Sequence, residues 1–273
     1  MTSSATSQPP RVAGARIELR GVGVTYPGGA IAVRDVDLDI AAGEFAVFLG
    51  PSGSGKSTLL RTINRLIEPT SGAVFIDGVD VRTLDPVVLR RGIGYVIQAV
   101  GLFPHLTIGA NVGVVPSLLG WERARIARRV DELLALVSLA PATYRDRYPR
   151  QLSGGEQQRV GVARALAAEP HVLLMDEPFG AVDAIVRASL QDEIRRIHRD
   201  VGTTIVFVTH DVDEALRLAD RVVVIAAGGV AQADTPQRVL SAPADDTVRS
   251  LVGIDAESRQ FAETRPLLER ESR

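Results

Sequence analysis

Apolar and polar residues follow two distinct patterns along this chain, and each pattern predicts a different kind of strand. Residues 17–20 and 36–40 alternate between apolar and polar side chains, a period of two that is typical of half-buried antiparallel strands. Residues 45–49, 172–175 and 204–208 are uninterrupted apolar or β-branched runs, which are typical of strands buried on both faces of a parallel sheet. Further strands are predicted at 73–76, at 93–97 and, as the last strand, at 221–225.

A helical pattern lies between the predicted strands at 93–97 and 172–175. Over residues 123–137 apolar side chains recur at helical spacing and form one stripe, at Ile126, Val130, Leu133, Leu134 and Val137. We therefore expect a helical insertion at about residues 99–165, with further helices at 59–66 and 160–166. Because helix and strand alternate elsewhere, the sequence predicts an α/β fold with a mainly parallel sheet, an antiparallel β subdomain and this insertion.

Composition narrows the possible environments and partners. The 273 residues are 45% hydrophobic, enough for a sizeable core, and a formal net charge of −2 creates no basic field, so nucleic acid is not an expected partner. The absence of cysteine excludes disulfides and cysteine-bound metals. No apolar run reaches the roughly 18 residues of a membrane span, so another chain would have to cross any membrane that this protein serves. We expect residues 1–15 to be a disordered lead-in and residues 242–273 a short helical or disordered tail.

A glycine-rich loop follows the apolar run at 45–49 and precedes a predicted helix. Glycines let the backbone approach an anion closely, and a helix start offers N–H groups and a positive dipole end, so a polyphosphate suits this position. The loop matches the pattern G-x-x-x-x-G-K-S/T, which assigns Lys56 to the β and γ phosphates and the Ser57 hydroxyl to Mg²⁺. Lys56 is also the only lysine among the 31 basic residues, and a compact ammonium suits a phosphate contact. The candidate nucleotide-binding residues of this loop are Gly50, Pro51, Ser52, Gly53, Ser54, Gly55, Lys56, Ser57 and Thr58.

Two adjacent acids end the apolar run at 172–175. Neighbouring side chains on an extended chain point to different sides, so Asp176 and Glu177 can have different roles. We expect Asp176 to hold Mg²⁺ and Glu177 to orient or deprotonate an attacking water, as acids at such a strand end do in P-loop enzymes. Two merely solvated acids are the alternative, which the upstream loop disfavours.

A third segment combines a helix start with two glycines. Ser153 and Glu156 have the S-x-x-E spacing of a capping box, and Gly154 and Gly155 between them leave backbone N–H groups open to a phosphate. A structural cap without a ligand is the alternative. The full run Leu-Ser-Gly-Gly-Glu-Gln-Gln-Arg at 152–159 resembles the signature motif of ABC ATPases.

The remaining motifs resemble those of ABC ATPases over about residues 16–241, which we take as the ATPase domain. The resemblance implies a P-loop NTPase core of the RecA-like type that binds ATP with Mg²⁺ and hydrolyses it. It assigns Tyr26 to stacking on adenine, although an ordinary turn aromatic is the alternative. It also assigns Gln98 to contacts with Mg²⁺ and the attacking water, Asp183 to the D-loop, and His210 to contact with the γ-phosphate.

The resemblance also implies partners. In ABC ATPases the signature of one subunit completes the nucleotide site of another, so a head-to-tail homodimer is expected in which Ser153, Gly154 and Gly155 serve the partner's ATP. Several segments look like those of importer ATPases for glycine betaine, choline, carnitine and related osmoprotectants, and they are residues 63–72, 94–98, 101–108 and 115–121. This implies a separate membrane permease, a solute-binding protein reached through the complex, and a peripheral location at the cytoplasmic face of the membrane.

Several alternative interpretations remain, and the chain departs from the usual pattern of these importer ATPases at a few positions. Leu102, Phe103 and Leu106 could form the surface that receives the permease, or they could pack inside the helical lobe. The solute could also be an amino acid or an organosulfonate. An ATPase of DNA repair is disfavoured because no long coiled coil separates the motifs, and a translation ATPase because only one set of motifs is present. Ala99 and Val182 replace the usual glutamine and leucine, and the expected tail has no room for the CBS domains that many such relatives carry.

Overall fold

The structure is a computed structural model, and it describes residues 14–98, 101–180 and 184–253. The strands in these ranges are β1 (Ile17–Thr25), β2 (Ile31–Ile40), β3 (Phe45–Leu49), β4 (Ser71–Ile76), β5 (Val79–Asp80), β6 (Ile93–Val96), β7 (Val172–Asp176), β8 (Thr204–Thr209), β9 (Arg221–Ala226) and β10 (Gly229–Asp234). The α-helices are α1 (Lys56–Ile63), α2 (Pro86–Arg91), α3 (Ile108–Val112), α4 (Val114–Leu118), α5 (Arg123–Leu136), α6 (Pro141–Tyr144), α7 (Gly154–Leu166), α8 (Ala184–Val201), α9 (Val212–Leu218), α10 (Pro236–Ser241) and α11 (Asp246–Leu251).

The strands form two sheets, as the two sequence patterns predict. The alternating segments belong to an antiparallel sheet with the order β2-β1-β4-β5, in which Ile17 lies opposite Ile40. The apolar runs belong to a six-stranded sheet with the order β10-β9-β3-β8-β7-β6, which is parallel except for β10. The predicted α/β fold with a mainly parallel sheet and an antiparallel subdomain is therefore confirmed.

The centre of the parallel sheet determines where a ligand can bind. Every residue of β3, β7 and β8 is buried, because α7, α8 and α9 cover one face of these strands and α1 with the antiparallel sheet covers the other. Parallel strands end at the same edge of their sheet, so the loops after β3, β7 and β8 lie next to one another there. This edge contains the glycine-rich loop, the two acids and His210.

The predicted helical insertion lies between β6 and β7 and comprises helices α3 to α7. Its longest helix before the signature is α5, which buries Val130, Leu133 and Leu134, as the apolar stripe predicts. Helix α7 begins at Gly154 rather than at residue 160, because the Ser153 cap starts it earlier. Helix α1 is also shifted, to 56–63 from the predicted 59–66, and Arg65 beyond its end has a left-handed φ of 54°.

The carboxyl-terminal strands differ from the prediction. The strand at 221–225 is not the last, because β10 follows it and pairs with it antiparallel. Ala227 and Gly228 make the connecting turn with positive φ values of 47° and 82°. The residues of β10 lack a clear apolar alternation because the strand is at a half-buried sheet edge.

The packed part of the chain also extends a little beyond the predicted domain at both ends. Ala15, which the predicted lead-in includes, is buried, and its carbonyl accepts a hydrogen bond from Thr204. Val248 of α11 is buried in the main core, within the segment that was expected to be a short helical or disordered tail. Within the described ranges, no helix has both the length and the apolar character that crossing a bilayer requires.

Candidate active site

The glycine-rich loop turns sharply from β3 into α1. Gly55 has a φ of 103°, and a Cβ atom there would lie 2.3 Å from the carbonyl oxygen of Ala32, so only glycine fits. Gly55 is the N-cap of α1 and supplies no side-chain hydrogen bond to the helix start. At Gly53 a Cβ atom would meet nothing within 4 Å, so the loop is open on this side. The first turn of α1 is therefore free to receive an anion through its N–H groups.

Lys56 is held at the base of the loop by the loop itself. Its side chain is 4% exposed, and Nζ donates to the carbonyl oxygens of Gly50 and Pro51 at 2.8 Å each. Burial lowers the pKa of Lys56, while the nearby carboxylates of Glu177 and Asp176 favour its charged form. An ammonium has three N–H donors, and two of them bond to the carbonyls of Gly50 and Pro51. The third donor is available to a ligand.

Asp176 is buried and surrounded by hydrogen-bond donors. The Ser57 hydroxyl donates to Oδ1 at 2.6 Å, the Arg61 guanidinium donates to Oδ2 at 2.9 Å, and the Tyr95 hydroxyl lies 3.4 Å from Oδ2. The predicted pair of Ser57 and Asp176 is therefore brought together. Arg61 and Tyr95 are site residues that the sequence analysis missed. Burial raises the pKa of the Tyr95 phenol, so it stays a donor at neutral pH.

Glu177 faces a different environment from Asp176, as expected for adjacent residues. Its Oε2 atom is 3.4 Å from Nε2 of Gln98 and 3.4 Å from Nδ1 of His210. Its backbone has a left-handed φ of 45°, which costs energy for a residue with a side chain, and its N–H donates to the carbonyl of Val208. The strained turn carries Glu177 out of the strand direction and places it beside Gln98 and His210.

Tyr26 and the loop enclose a cleft of about 320 Å³. Tyr26 is 41% exposed, and its hydroxyl is 3.1 Å from the hydroxyl oxygen of Thr58. The lining residues are Tyr26, Ala32, Ser52, Gly53, Gly55, Lys56, Ser57, Thr58 and Glu177. The exposed ring of Tyr26, the glycine-rich loop and the carboxylate of Glu177 therefore line the same cleft.

The signature segment forms the predicted capping box. The backbone N–H of Ser153 donates to Oε2 of Glu156 at 2.7 Å, and the N–H of Glu156 donates to the Ser153 hydroxyl oxygen at 3.3 Å. Ser153 and Gly154 are exposed, and no residue of this segment lines the cleft among the part of the chain that the structure describes. Ser153, Gly154 and Gly155 are therefore not brought to the glycine-rich loop of their own chain. Asp183, Val182 and Ala99 lie outside the described residues.

The hydrogen bonds of the capping box make the stability of the fold depend on the protonation of Glu156. Hydrogen bonds from Tyr144, whose hydroxyl donates to Glu156 at 2.6 Å, and from the Ser153 backbone lower the pKa of Glu156 below its ordinary 4.5. Ionised Glu156 therefore stabilises the fold above pH 4.5, and this stabilisation is lost as the pH falls through the lowered pKa. We expect Glu156→Gln to lower Tm at neutral pH, with the difference from the wild type disappearing on acidification. Thermal unfolding across this pH range measures it, and a Tm difference that does not change with pH would contradict the assignment.

The chain is similar in sequence to known proteins of one family. The profile of the ABC transporter family matches residues 33–180. The chain is 53% identical over 254 residues to the glycine betaine/carnitine/choline transport ATP-binding protein OpuCA of Bacillus subtilis, a match that covers 93% of this chain and 66% of OpuCA. It is 54% identical over 226 residues to the glycine betaine uptake system ATP-binding protein YehX of Escherichia coli, which covers 83% of this chain and 73% of YehX.

A solved structure shows the same fold. The dimeric structure of MJ0796, a bacterial ABC transporter cassette, superposes with a TM-score of 0.72 at 36% identity, covering 81% of this chain and 98% of that chain. This chain spans 58% to 66% of the length of the first three curated relatives that it matches. The family profile matches more than half of the chain, and the identity to YehX extends over most of that protein. The chain belongs to the ABC transporter family of ATP-binding proteins.

Proposed function

We propose that this chain is the ATP-hydrolysing subunit of an ABC importer that takes up glycine betaine, choline, carnitine or a related osmoprotectant. One observation carries the enzymatic part of this proposal. Lys56, Asp176, Glu177 and His210 lie together at the carboxyl ends of adjacent parallel strands. Lys56 and Glu177 line a cleft that also contains the open glycine-rich loop. The solute is proposed from the relatives, whose names refer to these compounds.

The cleft suits ATP by shape and charge. The loop and the start of α1 would bind the phosphates through backbone N–H groups and through Lys56, whose ammonium is already fixed beside them. The exposed ring of Tyr26 would stack on the adenine, a contact of about 1–3 kcal/mol by analogy with base stacking. Gly50, Pro51, Ser52, Ser54 and Thr58 complete the loop on either side.

The same residues fit Mg²⁺. Oxygen donors are the ligands that this ion prefers, and the Ser57 hydroxyl and the Asp176 carboxylate lie 2.6 Å apart at the end of the loop. These two residues would hold the ion, with Gln98 as a further oxygen donor near Glu177. When bound, Mg²⁺ supplies positive charge that stabilises the phosphate oxygens during hydrolysis.

Hydrolysis requires a base beside the γ-phosphate. Glu177 lines the cleft and would accept a proton from the water that attacks the γ-phosphorus. His210 lies within 3.4 Å of the same carboxylate, so it would orient Glu177 and contact the γ-phosphate. Gln98 contacts Glu177 from the strand end next to β7 and would help to place the water.

The exposed position of the signature segment supports the proposal that a second subunit binds there. Ser153 and Gly154 are exposed at the start of α7 and lie outside their own chain's cleft, so they are available to a neighbouring copy. We infer a head-to-tail homodimer in which Ser153, Gly154 and Gly155 of one copy contact the ATP of the other, with Asp183 near the interface. The solved structure of MJ0796, to which this chain is similar, is dimeric, which supports the proposal of a dimer.

A permease and a solute-binding protein would complete the importer, with this chain bound peripherally at the cytoplasmic face of the membrane. The sequence analysis gave two interpretations of the apolar residues after Gln98, a permease-docking surface and packing inside the helical lobe, and each interpretation applies to one of these residues. Phe103 is 41% exposed and lines a groove of about 370 Å³, whereas Leu102 packs against the core. Phe103 therefore supports a docking surface, and Leu102 supports packing inside the helical lobe.

Solute uptake tests the proposal. Deletion of the gene is expected to abolish or strongly reduce uptake of radiolabelled glycine betaine in high-salt medium, and the wild-type chain should restore it whereas Glu177→Gln should not. Competition with unlabelled choline, carnitine, an amino acid or an organosulfonate then identifies the solute class. Uptake that persists in the deletion strain would refute the osmoprotectant assignment, while ATPase activity of the purified complex would still test the enzymatic part.

A further inference from the structure

A partly buried cluster of polar side chains surrounds the chain positions next to His210. The Glu214 side chain on α9 is buried, and its Oε2 atom accepts a hydrogen bond of 2.6 Å from the hydroxyl of Thr209, the last residue of β8. The Thr209 hydroxyl oxygen in turn accepts a hydrogen bond from the backbone N–H of Asp211 at 3.0 Å. The backbone N–H of Glu214 donates to the Asp211 side chain at 3.1 Å. Both neighbours of His210 in the chain are therefore held by Glu214.

Arg187 joins this cluster to helix α8. Its Nη1 atom is 3.3 Å from the Asp211 carboxylate, and its Nε atom is 3.8 Å from the Glu214 carboxylate. Arg187 lies in the first turn of α8, shortly after residues 181–183. The contacts thus link the amino end of α8 to the loop that carries His210.

The cluster shares a cavity with the active site. The residues that line a cavity of about 50 Å³ include Glu177 and His210 of the active site together with Arg187, Asp211 and Glu214. A displacement of Arg187 or Glu214 would therefore alter the surroundings of His210 without touching the glycine-rich loop. A buried carboxylate also costs stability unless it is well paired, and burial raises the pKa of Glu214. The hydrogen bond from Thr209 and the nearby Arg187 guanidinium supply this pairing, so Glu214 is held in one place beside the loop that carries His210.

We propose that Glu214 and Arg187 are positioning residues for His210. Glu214 fixes Thr209 and Asp211 on either side of the exposed imidazole, and Arg187 makes the position of His210 depend on that of α8. The inference rests on the proposed ATP hydrolysis, in which His210 contacts Glu177 and the γ-phosphate. It predicts that loss of Arg187 impairs turnover through His210 and leaves ATP binding unchanged.

Arg187→Met tests the inference, and Arg217→Met is its matched control. Arg217 on α9 pairs with Asp192 on α8 at 2.7 Å, so the control removes an exposed ion pair between the same two helices. We expect Arg187→Met to lower kcat about tenfold, as for the loss of one hydrogen bond to a charged group, with the Kd for ATP changed less than about twofold. The control should keep the wild-type kcat, and Arg187→Lys should restore part of the activity. Equal losses of kcat in the two methionine variants would overturn the proposal.

A double-mutant cycle shows whether the effect passes through His210. In a His210→Ala background, Arg187→Met and Glu214→Gln should have little further effect on single-turnover hydrolysis, whereas additive losses would overturn the proposal. A readout that needs no hydrolysis separates this inference from the proposed function. The imidazole NMR signals of His210, identified by their absence in the alanine variant, should shift in Arg187→Met and stay unchanged in Arg217→Met. Unshifted signals would refute the positioning role, and a wild-type protein without ATPase activity would instead refute the proposed function.

Discussion

Replacing Glu177 with glutamine is expected to slow ATP turnover by about 10²–10⁴-fold, the usual contribution of a general base, while ATP affinity stays nearly unchanged. Glutamine has the same shape and can still contact Gln98 and His210, which lie 3.4 Å from Oε2 in the wild type. It cannot accept a proton from water at neutral pH. The phosphate-binding loop and Lys56 are untouched, so the substitution separates catalysis from binding.

Steady-state phosphate release and an ATP titration on the same preparation measure the two effects. Glu132→Gln is a suitable control, because Glu132 is an exposed acid on α5 in a weak ion pair with Arg129, away from the cleft. The control should hydrolyse ATP at the wild-type rate. Near-normal turnover of Glu177→Gln would remove Glu177 from the role of base and leave the rest of the site in place.

Replacing Lys56 with alanine should instead weaken ATP binding, by about 10- to 100-fold for the loss of roughly 1.5–3 kcal/mol from one charged hydrogen bond. Lys56 lines the cleft, and its ammonium is fixed by the carbonyls of Gly50 and Pro51. Arginine is not an equivalent replacement, because its larger planar fork does not fit a slot in which the native side chain is 4% exposed. Lys56→Arg should therefore also bind ATP more weakly than the wild type.

Calorimetric titration with MgATP measures this effect, and thermal unfolding checks that the variants are folded. Arg128→Ala removes one positive charge from the exposed face of α5, outside the residues that line the cleft, and should bind ATP like the wild type. An unchanged affinity in Lys56→Ala would show that the lysine does not contact the phosphates. A loss of equal size in Arg128→Ala would show that overall charge, rather than the loop, determines affinity.

Much of the fold could be predicted from local patterns. The run at 45–49 is strand β3 residue for residue, because a fully buried parallel strand requires every side chain to be apolar. The capping box at Ser153 and Glu156 was likewise visible, since both hydrogen bonds form within one helical turn. Strand β10 was missed because edge strands tolerate small and polar side chains, so pairing with β9 rather than composition places it.

The surroundings of the acids could not be predicted in the same way. Arg61 and Tyr95 contact Asp176 across 115 and 81 residues of sequence, respectively, and neither has a distinctive local pattern. Nothing in the sequence indicates that the Glu214 side chain is buried and hydrogen-bonded to Thr209. Such contacts depend on which helix covers which strand end.

The sequence by itself determined the buried strands of the parallel sheet, the glycine-rich loop, the paired acids and the signature cap, because each depends on residues that are close in the chain. Only the tertiary structure decided that Asp176 contacts Ser57 and Arg61, whereas Glu177 contacts Gln98 and His210. It also decided that the signature segment is away from its own chain's cleft. The physical reason is that parallel strands bring distant loops to one sheet edge, and the order of the strands, which local patterns do not encode, selects the neighbours.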